Sequence, residues 1–396
     1  MNLEPISLTR KLLEFQTVNP PGIERACARY LGGLLDGAGY KTSYSEFAEK
    51  RTTLVARLSA GGEKVPICFT GHLDTVPLGA TPWSKKPFGG EVDGDKVYGR
   101  GASDMKSGVA AMTVMALRLA QTKNRTAGLT LVFTAGEETT CLGAEHLARL
   151  DNVLGQAGAL VAGEPTANTP WVAHKGCVRF EISTKGIAAH ASMPERGDNA
   201  IYKAAEVVAK LRRFQFDIPD HPILGGPTLS VGTISGGTAI NLVPDEATIG
   251  VDIRILPSQN EESILLQLWS LLGPDVEIRR LNGARSVETN AENEWVQSVF
   301  NIIERLHGKR PVPGGASYFT DCSVLTPAYG NPPTIILGPG ESEMAHKTDE
   351  FCYLSKIRVG GRSLHRDRSA VVLWLRRGTR SRGVLDSVGR RSKEGD

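Results

Sequence analysis

The chain has 396 residues, 40% hydrophobic and 22% charged, with 44 Gly and 22 Pro. This composition excludes a disordered, collagen-like or small disulfide-held chain and leaves length for two or three cores. The net charge of +3 is unevenly spread: residues 358–396 carry eleven Lys/Arg against four Asp/Glu, so the body before them is mildly acidic and the basicity belongs to the tail.

The first ten residues lack the apolar stretch of a secretory signal, and no run approaches the roughly 18 apolar residues that span a bilayer. Cys27, Cys68, Cys141, Cys177, Cys322 and Cys352 form no CxxC pair, which suits reduced thiols and a cytoplasmic location. Amphipathic helices are predicted at 7–17 and 24–38. Short β-branched apolar runs at 53–58, 65–70, 129–134 and 159–162 read as strands, with a helix at 105–120 between the second and third. This alternation is that of an α/β sheet domain.

After His174-Lys175-Gly176 the texture changes to strands at 178–184, 228–234, 247–256 and 276–280 with helices at 199–214 and 260–272. That order is a small α+β sandwich with helices on one face. A helix at 294–307 and a strand at 334–337 resume the first texture. The expected organisation is a catalytic α/β domain in two parts, 1–176 and 286–357, interrupted by an inserted domain at 177–285 and followed by the basic tail.

Ionisable residues gather where the strands end. The strand at 65–70 runs into Gly71-His72-Leu73-Asp74, and alternation puts His72 and Asp74 on one side of the chain, as for a metal-bound imidazole backed by a carboxylate. By itself such a histidine is more often a satisfied core or surface residue. Asp104 follows a Gly-rich turn before a helix, where an N-cap is the plain reading. The strand at 129–134 exits into Glu137-Glu138, two adjacent carboxylates that are costly to bury without positive charge between them. The strand at 159–162 ends in Gly163-Glu164, and the strand at 334–337 leads to His346. Carboxyl ends of strands are where open α/β sheets place their sites. Imidazole plus carboxylate without thiolate suits zinc, cobalt or manganese, and a bridging aspartate would let five residues hold two ions.

The series GHLDTVP, GRGASDMKSG, GEET, GEPT, the GxxxHxxxP segment at 186–194 and AHKTDE resembles the M20 metallopeptidase family, which includes acetylornithine deacetylase, succinyl-diaminopimelate desuccinylase and glutamate carboxypeptidases. The resemblance spans about residues 5–357. It implies a zinc-aminopeptidase-like catalytic domain, a sheet flanked by helices, with an inserted α+β, ferredoxin-like dimerisation or lid domain. By the same resemblance His72, Asp104 and Glu164 hold one divalent ion and Asp104, Glu138 and His346 a second, zinc first and cobalt or manganese as alternatives. Glu137 would be the general base acting on a water between the ions, with Asp74 orienting His72. His190, often supplied by the partner of a homodimer, would stabilise the oxyanion. Asn241 would help at the amide. Arg254 would pair with a substrate carboxylate, a structural salt bridge being the alternative.

The implied activity is removal of an acyl group from an N-acyl amino acid, of the acetylornithine or succinyl-diaminopimelate type. A dipeptidase or carboxypeptidase of the same family, or a metal-holding protein recruited for binding, is the alternative. No membrane partner is expected, and a nucleic-acid partner rests on the tail alone. The chain departs from the family in reading DMKSG for DMKG, and in lacking an acidic amphipathic helix after residue 357. Read from the second base of each codon, residues 360–371 can encode AVDLYTEIARRW, similar to the family's closing helix. The tail is therefore expected to be an out-of-frame translation.

Overall fold

The computed structural model describes residues 3–363 apart from positions 63, 123, 124 and 126. The tail from residue 364, and with it the nucleic-acid and frame-shift readings, lies outside those residues. The chain opens with helices α1 (Pro5–Leu13) and α2 (Arg25–Asp36). Pro5 starts α1 where its missing N–H costs nothing, two residues before the predicted start. Then come strands β1 (Lys41–Ala48), β2 (Arg51–Leu58) and β3 (Lys64–His72), the hairpin β4 (Glu91–Asp93) and β5 (Lys96–Tyr98), helix α3 (Ser107–Ala120), β6 (Ala127–Thr134), α4 (Leu142–Ala148), β7 (Ala159–Ala162) and β8 (Trp171–His174).

The next elements are β9 (Gly176–Lys185), β10 (Ala189–His190), α5 (Ala200–Leu211), β11 (Thr228–Gly236), β12 (Leu242–Val243), β13 (Glu246–Ile255), α6 (Glu261–Leu272) and β14 (Val276–Ala284). The chain continues with β15 (Val287–Glu288), α7 (Glu294–His307), β16 (Gly314–Ala316), α8 (Cys322–Ala328), β17 (Thr334–Ile336), β18 (Phe351–Tyr353) and α9 (Leu354–Ser363). Helix α9 starts before the basic tail and runs into it, where the sequence pattern showed no period.

Among the described residues the largest sheet has nine strands, with β1-β2-β6-β3-β7-β17-β8-β15 in order and β16 beside β8. Strands β6, β3, β7 and β17 are mutually parallel neighbours, so their carboxyl ends lie along one edge. Leu8 and Leu12 of α1, Leu31 and Leu35 of α2, Val109 and Met112 of α3, and Val296 and Phe300 of α7 share one core with that sheet. Ala144 and Leu147 of α4 and Leu325 of α8 pack in a second core on alternate residues such as Val55, Cys68 and Val132. Period-two alternation thus buries both faces of these strands under helices.

A second, antiparallel sheet has the order β11-β13-β9-β14. It follows strand–helix–strand–strand–helix–strand connectivity, and Ala204 and Val207 of α5 and Ile264 and Leu268 of α6 share its core with Phe180, Ile182, Ile249 and Val251. This is the ferredoxin-like arrangement. Leu224, on the loop between α5 and β11, is buried with Ala173 of β8 and Leu256, which ties this sheet to the nine-stranded one.

Candidate metal centre

His72 is the last residue of β3 and is buried. Its Nδ1 lies 2.9 Å from the backbone oxygen of Asp74. A carbonyl can only accept, so Nδ1 carries the hydrogen and Nε2 is left with its lone pair. That Nε2 is 3.0 Å from Asp104 Oδ1 and 3.8 Å from Glu164 Oε2. The other oxygen of Asp104 is 3.4 Å from His346 Nε2, which is 3.1 Å from Glu138 Oε2. Two groups result, His72–Asp104–Glu164 and Asp104–Glu138–His346, each with its ligand atoms within 4.8 Å of one another and with Asp104 in both.

The electrostatics ask for cations. Burial, then neighbouring carboxylates, drive Glu137 and Glu164 well above the ordinary carboxylate range, with the His72 imidazole opposing. Glu138 is raised by burial and by Asp104. Although burial opposes its ionisation, Asp104 is held low by hydrogen bonds with His346 and His72. Hydrogen bonding to Asp104 and Glu138 pushes His346 up to about 10. Glu138 Oε1 is buried without a hydrogen-bond partner. Crowded carboxylates, imidazole nitrogens and an orphan oxygen fit divalent ions of the zinc, cobalt or manganese kind. Half of the His346 side chain is exposed (55%) while His72 is sealed, so the centre opens on the His346 side.

The Asp74 carboxylate does more than face His72. Its nearer oxygen is 3.7 Å from Nδ1, and the two oxygens accept from the N–H groups of Gly136, Glu137 and Glu138 at 3.0–3.2 Å and from Asn19 Nδ2 at 2.8 Å. Asp74 thus meets the imidazole through its carbonyl, with the carboxylate close by, and the same side chain fixes the turn bearing the paired glutamates.

The remaining sequence-predicted residues sit in the second sheet and beside it. His190 of β10 pairs in register with Leu242 of β12, and the Asn241 carbonyl accepts from Ala191 N–H at 3.1 Å, so His190 and Asn241 lie on adjacent paired segments. His190 bonds locally, its Nδ1 lying 2.7 Å from Ser192 Oγ. Arg254 donates to Asp252 at 2.7 Å, which is the salt-bridge alternative, and its guanidinium lies 5.8 Å from the Phe319 ring.

Sequence reasoning gives no role to buried Arg100 and Glu350, and marks Asp321 only as part of a loop, 317–321, that resembles the family's pocket lining. Glu350 takes donors from the loop carrying Asp104, Arg100 pairs with it, and Asp321 accepts from Thr134 Oγ1 at the end of β6. Arg100 and Glu350 lie inside quoted motifs, GRGASD and AHKTDE, and that position was the available signal.

A mixed sheet with helices on both faces, an inserted ferredoxin-like sheet, and paired histidine–carboxylate groups gathered at the carboxyl edge of the parallel strands define a hydrolase of amide bonds. The chain belongs to a known family of these enzymes: residues 68–366 match Peptidase family M20/M25/M40. A probable succinyl-diaminopimelate desuccinylase from Staphylococcus epidermidis is 29% identical over 392 residues, covering 90% of this chain and 96% of that one. An acetylornithine deacetylase from Photorhabdus laumondii is 31% identical over 315 residues, covering 77% and 79%. In fold, the M20 metallo-carboxypeptidase Sso-CP2 from Sulfolobus solfataricus superposes with a TM-score of 0.79 at 17% identity, covering 94% of this chain and 99% of that one.

Proposed function

We propose that this enzyme removes the acyl group from an N-acyl amino acid through two divalent ions, zinc first. The observation that carries the reading is Asp104, which offers one oxygen to each ligand group. His72, Asp104 and Glu164 would hold one ion, and Asp104, Glu138 and His346 the other, all within a catalytic part comprising 1–176 and 286–357. Two such ions, when bound, supply the positive charge that polarises an amide carbonyl and acidifies water. Glu137, buried and with a raised proton affinity, takes the proton of the attacking water and returns it to the leaving amine. Adjacency helps, because Glu138 is turned to His346 while Asp74 pins both backbones.

In this reading the insert, 177–285, forms a homodimer, and His190 stabilises the oxyanion of the partner's substrate with Asn241 beside it. Arg254 offers its remaining donors to a substrate carboxylate. Six separate buried thiols support a reducing, cytoplasmic setting. Among the described residues no helix is long and apolar enough to cross a membrane.

The test is a panel of N-acetyl, N-succinyl and N-formyl amino acids and dipeptides, assayed with zinc, cobalt or manganese. Turnover of N-acyl amino acids is expected, and turnover confined to dipeptides would replace this reading with a dipeptidase. Glu137→Ala should keep both ions and lower kcat roughly 10²–10⁴-fold. His346→Ala should lower bound metal from two ions toward one, by elemental analysis of the purified protein. We also propose that the tail is an out-of-frame translation of the original last helix. An unbroken frame on resequencing the coding DNA overturns that.

A further inference from the structure

Glu350 is fully buried and spends both oxygens on one neighbour. Oε1 accepts from the N–H groups of Ser103 at 2.8 Å and Asp104 at 3.0 Å. Oε2 accepts from Gly101 N–H at 3.0 Å and from the Arg100 guanidinium at 2.8 Å. Arg100 in turn donates to the carbonyls of Lys347 at 3.1 Å and His346 at 3.4 Å, and to that of Pro77 at 3.1 Å. The pair therefore grips the backbone of Asp104 and the backbone of His346 together, although Arg100 and Glu350 are 250 positions apart with the insert between them. His72 and Glu164 are placed separately, by the ends of β3 and β7.

Resting on the two-metal reading, we propose that the Arg100–Glu350 pair is a positioning device for the second ion, setting the affinity of the Asp104–Glu138–His346 group more than that of the His72–Asp104–Glu164 group. Two of the three second-group ligands depend on the pair and one of the three first-group ligands does. Glu138 is held independently by Asp74. A buried ion pair with every oxygen of its carboxylate used is costly to break, so the clamp keeps Asp104 and His346 at one separation whether or not metal is bound.

The experiment strips the whole protein with a chelator and refills it with zinc, reading the two binding steps by calorimetry and bound metal by elemental analysis. Glu350→Gln keeps the volume but sets an amide N–H₂ against backbone donors. The step abolished by His346→Ala is the second group's, and it should fall roughly 10–100-fold, the scale for partners that orient a ligand, the other step by a smaller factor. Arg100→Lys keeps charge but loses the fork and should show the same ordering; it decides the matter if Glu350→Gln does not fold. Equal losses at both steps, losses greater at the first group's step, or no loss at the second group's would overturn the proposal. Should wild-type protein bind fewer than two ions, the two-metal reading fails on its own, before any variant is compared.

Discussion

What a buried polar residue does here depends on which of its atoms are accepted and by whom. His72 and His174 are both fully buried imidazoles, yet they titrate in opposite directions. Carboxylates surround His72 and raise it despite burial, whereas burial lowers His174 to about 4, its Nδ1 facing only the Lys175 carbonyl and its Nε2 nothing. Between pH 6.5 and 4 the unfolded chain therefore takes a proton at residue 174 that the folded chain refuses, so this group makes stability fall with acid across that window and contributes nothing further above it. On going from pH 7 to 4.5 this group takes urea resistance away from the metal-free protein, while the buried Glu137 and Glu164, raised in the folded state, add to it. In His174→Gln the net change over that interval should be more favourable by at most about 3 kcal/mol, read from unfolding midpoints at the two pH values. An equal change in both proteins would remove His174 as a source.

Among the elements, α3 shows a packing constraint overriding helix propensity. Gly108 lies near its start, and a Cβ there would sit 2.1 Å from the Gly163 carbonyl, one residue before Glu164. Gly→Ala in an exposed helix gains about 1 kcal/mol, but here the clash is with backbone and overpacking costs about 1–3 kcal/mol. Gly108→Ala should therefore lower the thermal midpoint, and weaken the metal group containing Glu164, by calorimetry. Helices at 199, 260 and 294 were legible because Asn199, Asn260 and Asn293 cap them with their side chains. The five proposed ligands could be picked out because each sits in a short local motif at or after the end of a strand. Strand β1 was not, since Lys41–Ala48 is a polar, half-exposed edge strand without an apolar run. The helix predicted from 105 begins at 107 because Asp104 and Met105 have non-helical backbone angles, and these aim Asp104 at both histidines. Glu350 escaped because its partners are backbone N–H groups some 246–249 positions away, which no local pattern encodes.

At the scale of the molecule, the second sheet leaves an edge unpaired. Among the described residues strand β11 pairs only with β13 in its sheet, and exposed apolar side chains lie on it and on α5, which packs against it: Ile234 at 55% and Tyr202 at 72%. An exposed edge with an apolar flank is a surface that another copy can extend. If the proposed homodimer forms through this face, wild-type protein should be dimeric by light scattering and Ile234→Asp combined with Tyr202→Ser monomeric. If His190 serves the neighbouring subunit, kcat should collapse while both ions stay bound; an active monomer would place the oxyanion donor elsewhere. The nine-stranded sheet also has a history written into its order. Strands β1, β2, β6, β3 and β7 are consecutive neighbours, and all are synthesised by residue 162. A ribosome emitting the chain from its N-terminus thus completes His72, Asp104 and Glu164 long before His346 exists. Four of the five proposed ligands are therefore made before the insert, and His346, with the Glu350 that grips the Asp104 backbone, only after it, so the centre waits on the last part of the chain to close.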